Sequence, residues 1–172
     1  MKFKFMLVPL VILGMSMEGC IGEPSIQSFT NPIWITPQDS VCQSNGGRTD
    51  LGKGCRASWG KAKKICLASG GRVATIAELK KVITDCGGKV ETLASSRALL
   101  DKNEENTGYQ QCYKKKGFSN DMSNYWSLSL GDSGGIRTPI SNAQSINFKS
   151  GYETGIYQRG SLFRVRCVRG GK

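Results

Sequence analysis

The chain contains no histidine. That removes the commonest general base and the commonest zinc ligand from any mechanism. Carboxylates are also scarce, with 13 Asp and Glu against 24 Lys and Arg, and no pair of them stands out as an acid–base couple. The body of the chain has no long apolar run, which excludes a membrane-spanning helix there. These absences point to a binding module rather than an enzyme, with no metal and no cofactor expected. What remains is a basic chain of 172 residues, 22 of them glycine, a length that suits one domain with a short leader and linker.

The single apolar run is N-terminal. Lys2 and Lys4 precede Phe5 to Leu13, a stretch of signal-peptide length broken by Pro9. Residues 1–19 are therefore expected to be a signal peptide. Cys20 follows Met17-Glu18-Gly19, which resembles the lipobox of bacterial lipoproteins, although that pattern prefers Leu and a small uncharged residue where Met17 and Glu18 stand. Parity favours this reading. Seven cysteines are awkward in an oxidising compartment, and a lipid on Cys20 leaves six to pair: Cys42, Cys55, Cys66, Cys86, Cys112 and Cys167. The expectation is an exported lipoprotein held by acyl chains at the outer membrane or cell surface, with plain secretion as the alternative. Residues 20–41, with three of the five prolines, read as its tether, and residues 42–172 as the folded domain.

Removing residues 1–19 leaves 22 basic against 12 acidic residues, a charge of +10. A basic exported surface attracts polyanions, sulfated glycans above all, or simply keeps the protein soluble. The basic groups are Lys61, Lys63 and Lys64, the triplet Lys114, Lys115 and Lys116, and Arg164, Arg166 and Arg169. The last two groups are the candidate ligand contacts, weighed against an ordinary solvated face. No specific nucleic-acid partner is implied, and the oligomeric state is open.

Local patterns give a mixed α+β chain. A short strand is expected at Ile33-Trp34-Ile35. Ser44 to Arg48 reads as a turn-rich loop, and pairing Cys42 with Cys55 would close it, worth about 3 kcal/mol in the chain-entropy model. Ser58 can cap a helix running to about Ser69, with Trp59, Ala62 and Cys66 on one face, and Gly70-Gly71 ends it. Thr75-Ile76-Ala77-Glu78 is a capping box that opens a second helix, with Ile76, Leu79, Val82 and Ile83 as its stripe and Lys80 and Lys81 facing water. Leu93 to Leu100 reads as a short helix and Asp101 to Gly108 as a polar loop. Tyr125 to Leu130, Ala143 to Phe148 and Phe163 to Val168 read as strands. In the last, Phe163, Val165 and Cys167 alternate with Arg164, Arg166 and Val168, which predicts one core face and one cationic face.

Taken in order, Trp59-x-x-Ala62-x-x-x-Cys66, Gly70-Gly71-Arg72-Val73-Ala74-Thr75-Ile76-Ala77-Glu78-Leu79, Tyr125-Trp126-Ser127, Phe148-x-x-Gly151 and Val165-Arg166-Cys167-Val168-Arg169-Gly170 resemble the Lcl C-terminal domain family. That is a bacterial surface domain with a C-type-lectin-like fold. The resemblance spans about residues 55–172 and departs at Val73-Ala74-Thr75, where the family usually has Leu-Pro-Thr. It implies two helices followed by a small antiparallel sheet, and a bridge between Cys66 and Cys167. The other two bridges are expected as Cys42 with Cys55 and Cys86 with Cys112, among 15 possible connectivities. With that bridge, the Lys of the first helix and the Arg of the last strand would share a surface.

Two motifs suggest chemistry and are outweighed. Gly131-Asp132-Ser133-Gly134-Gly135 matches the surroundings of a chymotrypsin-like nucleophile, but no histidine exists to take the serine proton, so a Gly-rich turn is expected. Asp101-x-Asn103-x-Glu105 alternates oxygen ligands as calcium loops do, yet lacks the glycine and the distal Glu, so a solvated loop is expected. Trp126 is assigned to the core, and Tyr113 and Phe118, flanking the Lys triplet, to exposed contacts. The resulting expectation is a surface module adhering to a polyanionic glycan. The alternative is a structural subunit of a surface appendage or envelope complex, with a protein partner.

Overall fold

A computed structural model of the chain describes residues 31–50, 54–92, 97–131, 142–155 and 159–171, the side chains of 97–100 excepted. The leader, Cys20, the first part of the tether and the Asp132–Gly135 part of the Gly-Asp-Ser-Gly-Gly motif lie outside the described residues.

The elements in order are β1 (Ile33–Ile35), α1 (Asp39–Ser44), β2 (Arg48–Asp50), β3 (Gly54–Ala57), α2 (Trp59–Ala68), β4 (Arg72–Val73) and α3 (Ile76–Asp85). Then come α4 (Arg97–Glu105), α5 (Thr107–Lys115), β5 (Asn124–Leu130), β6 (Ala143–Asn147), β7 (Glu153–Thr154), β8 (Phe163–Arg164) and β9 (Cys167–Arg169). They form two sheets, β1-β9-β4 and β2-β3-β8-β5-β6-β7. Every pairing is antiparallel except β5 with β8.

The α3 capping box is present as expected. Glu78 N donates to Thr75 Oγ1 at 3.3 Å, and Thr75 N donates to Glu78 Oε2 at 2.8 Å. Ser58 stands at the α2 N-cap position, but its side chain makes no capping hydrogen bond. Leu79, Val82 and Ile83 are buried as the stripe required, whereas Lys80 is not simply solvated. Its ammonium pairs with the buried Glu153 at 2.6 Å.

All three expected bridges form: Cys42–Cys55, Cys66–Cys167 and Cys86–Cys112. The first two lie inside a core built on Trp59, Ile65, Val73 and Trp126. A second core gathers Leu79, Ile83, Tyr109, Tyr113, Phe118, Tyr125, Ile146 and Phe148. Phe118 and Phe148 stack at 4.0 Å between ring centres, with Tyr113 and Tyr125 edge-on to Phe148.

The turn expected after Ser44 forms at Asn45-Gly46, and ahead of it Asp39–Ser44 adds a short helix that its buried Cys42 anchors through the bridge to β3. Three expectations fail, each for a physical reason. The polar stretch from 101 to 108 is helical, α4 and α5 meeting at Asn106, whose Oδ1 accepts the Tyr109 amide at 2.9 Å. No apolar stripe marks 101–108, because a buried Asn rather than a leucine anchors the helix. Asn103 bonds Lys89 N, Lys89 O and Ser150 O with its side chain. Tyr113 and Phe118 are core residues, not exposed contacts. Finally, the strand expected over Phe163–Val168 is two strands, one in each sheet. β8 lies between β3 and β5, and β9 between β1 and β4. Arg164 lies in the central strand β8 and Arg166 in the crossover between the two sheets, and both are buried, at 2% and 6% exposure, instead of forming an open cationic face.

Candidate anion-binding site

The site is built by the end of α5 and the crossover from β8 to β9. Helix α5 points Tyr109 and Tyr113, one turn apart, into the aromatic core, and this leaves Lys114 and Lys115 on the outside. Lys116 caps the helix and is also exposed. Gly117 then turns the chain with φ +81°, a left-handed conformation that favours glycine. A Cβ on Gly117 would stand 2.7 Å from Arg166 Nη2, so any side chain here would also have to push the guanidinium aside. The turn therefore lies directly against the Arg166 guanidinium and delivers Phe118 into the core.

Beneath this turn is a recess of about 320 Å³, lined among others by Lys114, Gly117, Phe118, Tyr125, Arg164 and Arg166. Its two arginines are treated differently by the fold. Arg164 Nε and Nη2 both donate to Asp121 Oδ2, the former at 3.0 Å. Burial opposes ionisation of Asp121, but hydrogen bonds from Arg164 and Ser123 outweigh it and hold its carboxyl below the usual range. Arg166 has no carboxylate among the described residues. Its Nη2 donates to Lys116 O at 2.9 Å, and its guanidinium carbon lies 5.3 Å from the Phe118 ring centre. Burial pushes its pKa down, yet a guanidinium stays protonated in a protein. Tyr125 offers no compensating charge, because burial raises its own pKa and keeps the hydroxyl neutral.

Three guanidinium nitrogens around the recess are buried without a partner among the described residues: Arg164 Nη1, Arg166 Nε and Arg166 Nη1. An unpaired buried cation is costly, and buried donors are almost always satisfied. The arrangement therefore gathers cationic charge and guanidinium donors around one recess.

The sequence candidates separate in space. Lys114, Arg164 and Arg166 converge on the recess, with Lys115 and Lys116 exposed beside it. Arg169 stands elsewhere, exposed, its Nε donating to Gly70 O at 2.9 Å beside the end of α2. The first-helix lysines do not meet the recess arginines. Lys63 instead lies 3.9 Å over the Trp59 ring. Sequence reading missed Asp121 and Gly117. Ser119-Asn120-Asp121-Met122-Ser123 does carry turn composition, and Asp121 Oδ1 accepts the Ser123 amide at 3.1 Å. Its pairing with an arginine 43 residues away left no local trace.

A larger cavity of about 770 Å³ lies on the other side of Lys116, lined by Trp34, Arg72, Glu78, Lys81 and Asp85 among others. Among the described residues no cluster of three or more Cys, Asp or Glu could hold a metal ion. No protein-family model, no curated protein and no solved structure was found that matches this chain.

Proposed function

We propose that this chain is an exported, disulfide-stapled binding module that adheres to a polyanionic glycan through the face around the end of α5. The observation that carries this reading is the buried, carboxylate-free Arg166 next to Arg164 and Lys114, with Lys115 and Lys116 exposed at the rim. A guanidinium held in this way suits sulfate, phosphate or carboxylate groups, and flanking lysines extend the field along a chain of them. Three disulfides in a small domain fit an oxidising compartment. In this reading Cys20 carries the lipid at the outer membrane or cell surface, and the tether is the stretch ahead of β1, because Ile33–Ile35 already pairs with β9 in the folded domain. The mixed α+β architecture and the Cys66–Cys167 bridge support the Lcl C-terminal domain resemblance, although among the described residues five helices and two sheets stand where that resemblance implies two helices followed by one small antiparallel sheet.

The test is retention of the chain on heparin-type and neutral glycans across a salt series. Selective retention that falls steeply with salt, and that drops when Lys114, Lys115 and Lys116 are changed to Gln, is the expected result. No retention at low salt ends this reading. The second reading, a subunit of a surface appendage or envelope complex, is favoured by one observation. Strand β1 is the outer strand of its sheet and presents Ile33 at 62% exposure, an edge suited to pairing with another protein. It predicts association that is insensitive to salt.

A further inference from the structure

The charge on the recess is concentrated rather than spread, and this bears on how much of a glycan it takes. Three cations line it, Lys114, Arg164 and Arg166, and among the described residues the one carboxylate paired with any of them is Asp121, on Arg164. The uncompensated charge sits on Arg166, next to the bare Nη1 of Arg164. Two of the three bare nitrogens belong to Arg166, so a single anionic group placed there answers most of the deficit. The volume agrees. About 320 Å³ is at the small end of ligand cavities, which run roughly 300–1,000 Å³. One sugar ring with its charged substituent fits; a run of rings does not. The aromatic floor of Phe118 and Tyr125 gives an apolar surface for the ring itself.

The bare nitrogens are closed off from solvent, and the covering piece is identifiable. Gly117 packs against the Arg166 guanidinium so closely that a Cβ there would lie 3.3 Å from Nη1 and 2.7 Å from Nη2. Lys116 O holds Nη2 from the same turn. An anion that satisfies Arg166 must displace this turn, which is secured by Gly117 N donating to Lys114 O and by the Phe118 side chain.

We infer that the recess is a discrete site for one anionic sugar residue, taken end-on. Its sulfate, phosphate or carboxylate group sits between Arg166, Arg164 and Lys114, and the Lys116–Gly117 turn gives way to admit it. This rests on the polyanion reading for its biological ligand, but the site itself is independent of whether a polymer binds. It makes the module a reader of chain ends or single charged substituents, while the exposed lysines supply unspecific attraction.

The experiment is calorimetric titration of the full chain with N-acetylglucosamine 6-sulfate, glucose 6-phosphate, glucuronate and neutral glucose, in about 0.15 M NaCl so that diffuse attraction is screened. The expected result is saturable binding of one anionic sugar per chain, none of glucose, and an order among the three that identifies the charged group. Arg166→Gln should weaken the best ligand at least about tenfold, as loss of a charge-assisted hydrogen bond does, while Lys64→Gln, on the exposed face of α2 away from the recess, leaves it within about twofold. Should Arg166→Gln fail to fold, the wild-type chain decides the matter by NMR. Saturable shifts centred on the Gly117 and Phe118 amides and on Arg166 Nε support the site, and shifts scattered over the surface lysines overturn it. Absence of saturation with all three anions also overturns it. Saturable binding of a single sugar without retention on any sulfated polymer leaves the site standing and sinks the adhesion reading; the reverse pattern sinks the site alone.

Discussion

Two cavities flank the Lys114–Lys116 segment, and they treat charge in opposite ways. In the larger one, Arg72 Nη1 and Nη2 donate to Glu78 Oε2 and Oε1 at 2.8 and 2.6 Å, and Nη2 also reaches Gly171 O at 2.9 Å. Glu78 is held below its ordinary pKa even though burial works the other way, because Arg72 and Thr75 hydrogen-bond its charged form. In the smaller recess, among the described residues, Arg166 finds a backbone carbonyl and the face of Phe118 but no carboxylate. The larger cavity is part of the scaffold, since its charges complete a helix cap. The recess holds a charge deficit that the described residues do not fill. The two hollows thus differ in the balance of buried charge, and a ligand site is proposed on that balance rather than on size.

The contrast can be broken by making Arg164 resemble Arg166. Asp121→Asn should cost about 3 kcal/mol in urea unfolding, because it strands a guanidinium that is almost fully buried. A loss well below about 1 kcal/mol would mean that unpaired arginines are tolerated there, and that the Arg166 deficit has no force. At the larger cavity, Glu78→Gln should cost about 2 kcal/mol, less because Arg72 is a third exposed and water takes up part of its charge. Acid tests both carboxylates together. Their folded pKa values lie below the ordinary 3.8 and 4.5, so their stabilisation is complete above that range. It is lost as pH falls through the folded values. Thermal melts of Asp121→Asn and Glu78→Gln should each show a shallower acid decline than the parent.

Arg166→Met sharpens the comparison from the other side. Replacing an uncompensated buried cation with an apolar side chain of similar length should raise stability by about 1–2 kcal/mol when chloride is the only anion present, while abolishing binding of the anionic sugars. A variant that is both destabilised and still binds would contradict the assignment. The smallest effect on stability belongs to the rim. Changing Lys114, Lys115 and Lys116 to Gln should leave the unfolding free energy within about 0.5 kcal/mol, yet cut retention on sulfated glycan.

Local order was legible where neighbouring residues create it. Thr75 and Glu78 are three positions apart, and their reciprocal bonds need no other part of the chain. The α3 stripe and the β5 and β6 strands follow from periodicity for the same reason. Helices α4 and α5 were partly hidden, because Asn103 earns its burial by bonding Lys89 and Ser150, 14 and 47 residues away. Basic residues marked the right neighbourhood for the site. They did not mark which of them the fold leaves without a partner.

The sequence by itself determined a cysteine-paired α+β chain with a cationic surplus, because composition, parity and short-range spacing carry that information. Only the tertiary structure decided where the surplus matters. The alternation of Phe163 to Val168 assumes a strand with one face in water, but the chain crosses from the middle of one sheet to the middle of the other, and core covers both sides. That turns two arginines inward. Asp121 reaches one of them from 43 residues away, and the turn at Gly117 packs against the other, which has no carboxylate among the described residues. Pairing across such distances depends on which surfaces meet after folding, and short-range spacing carries no record of it.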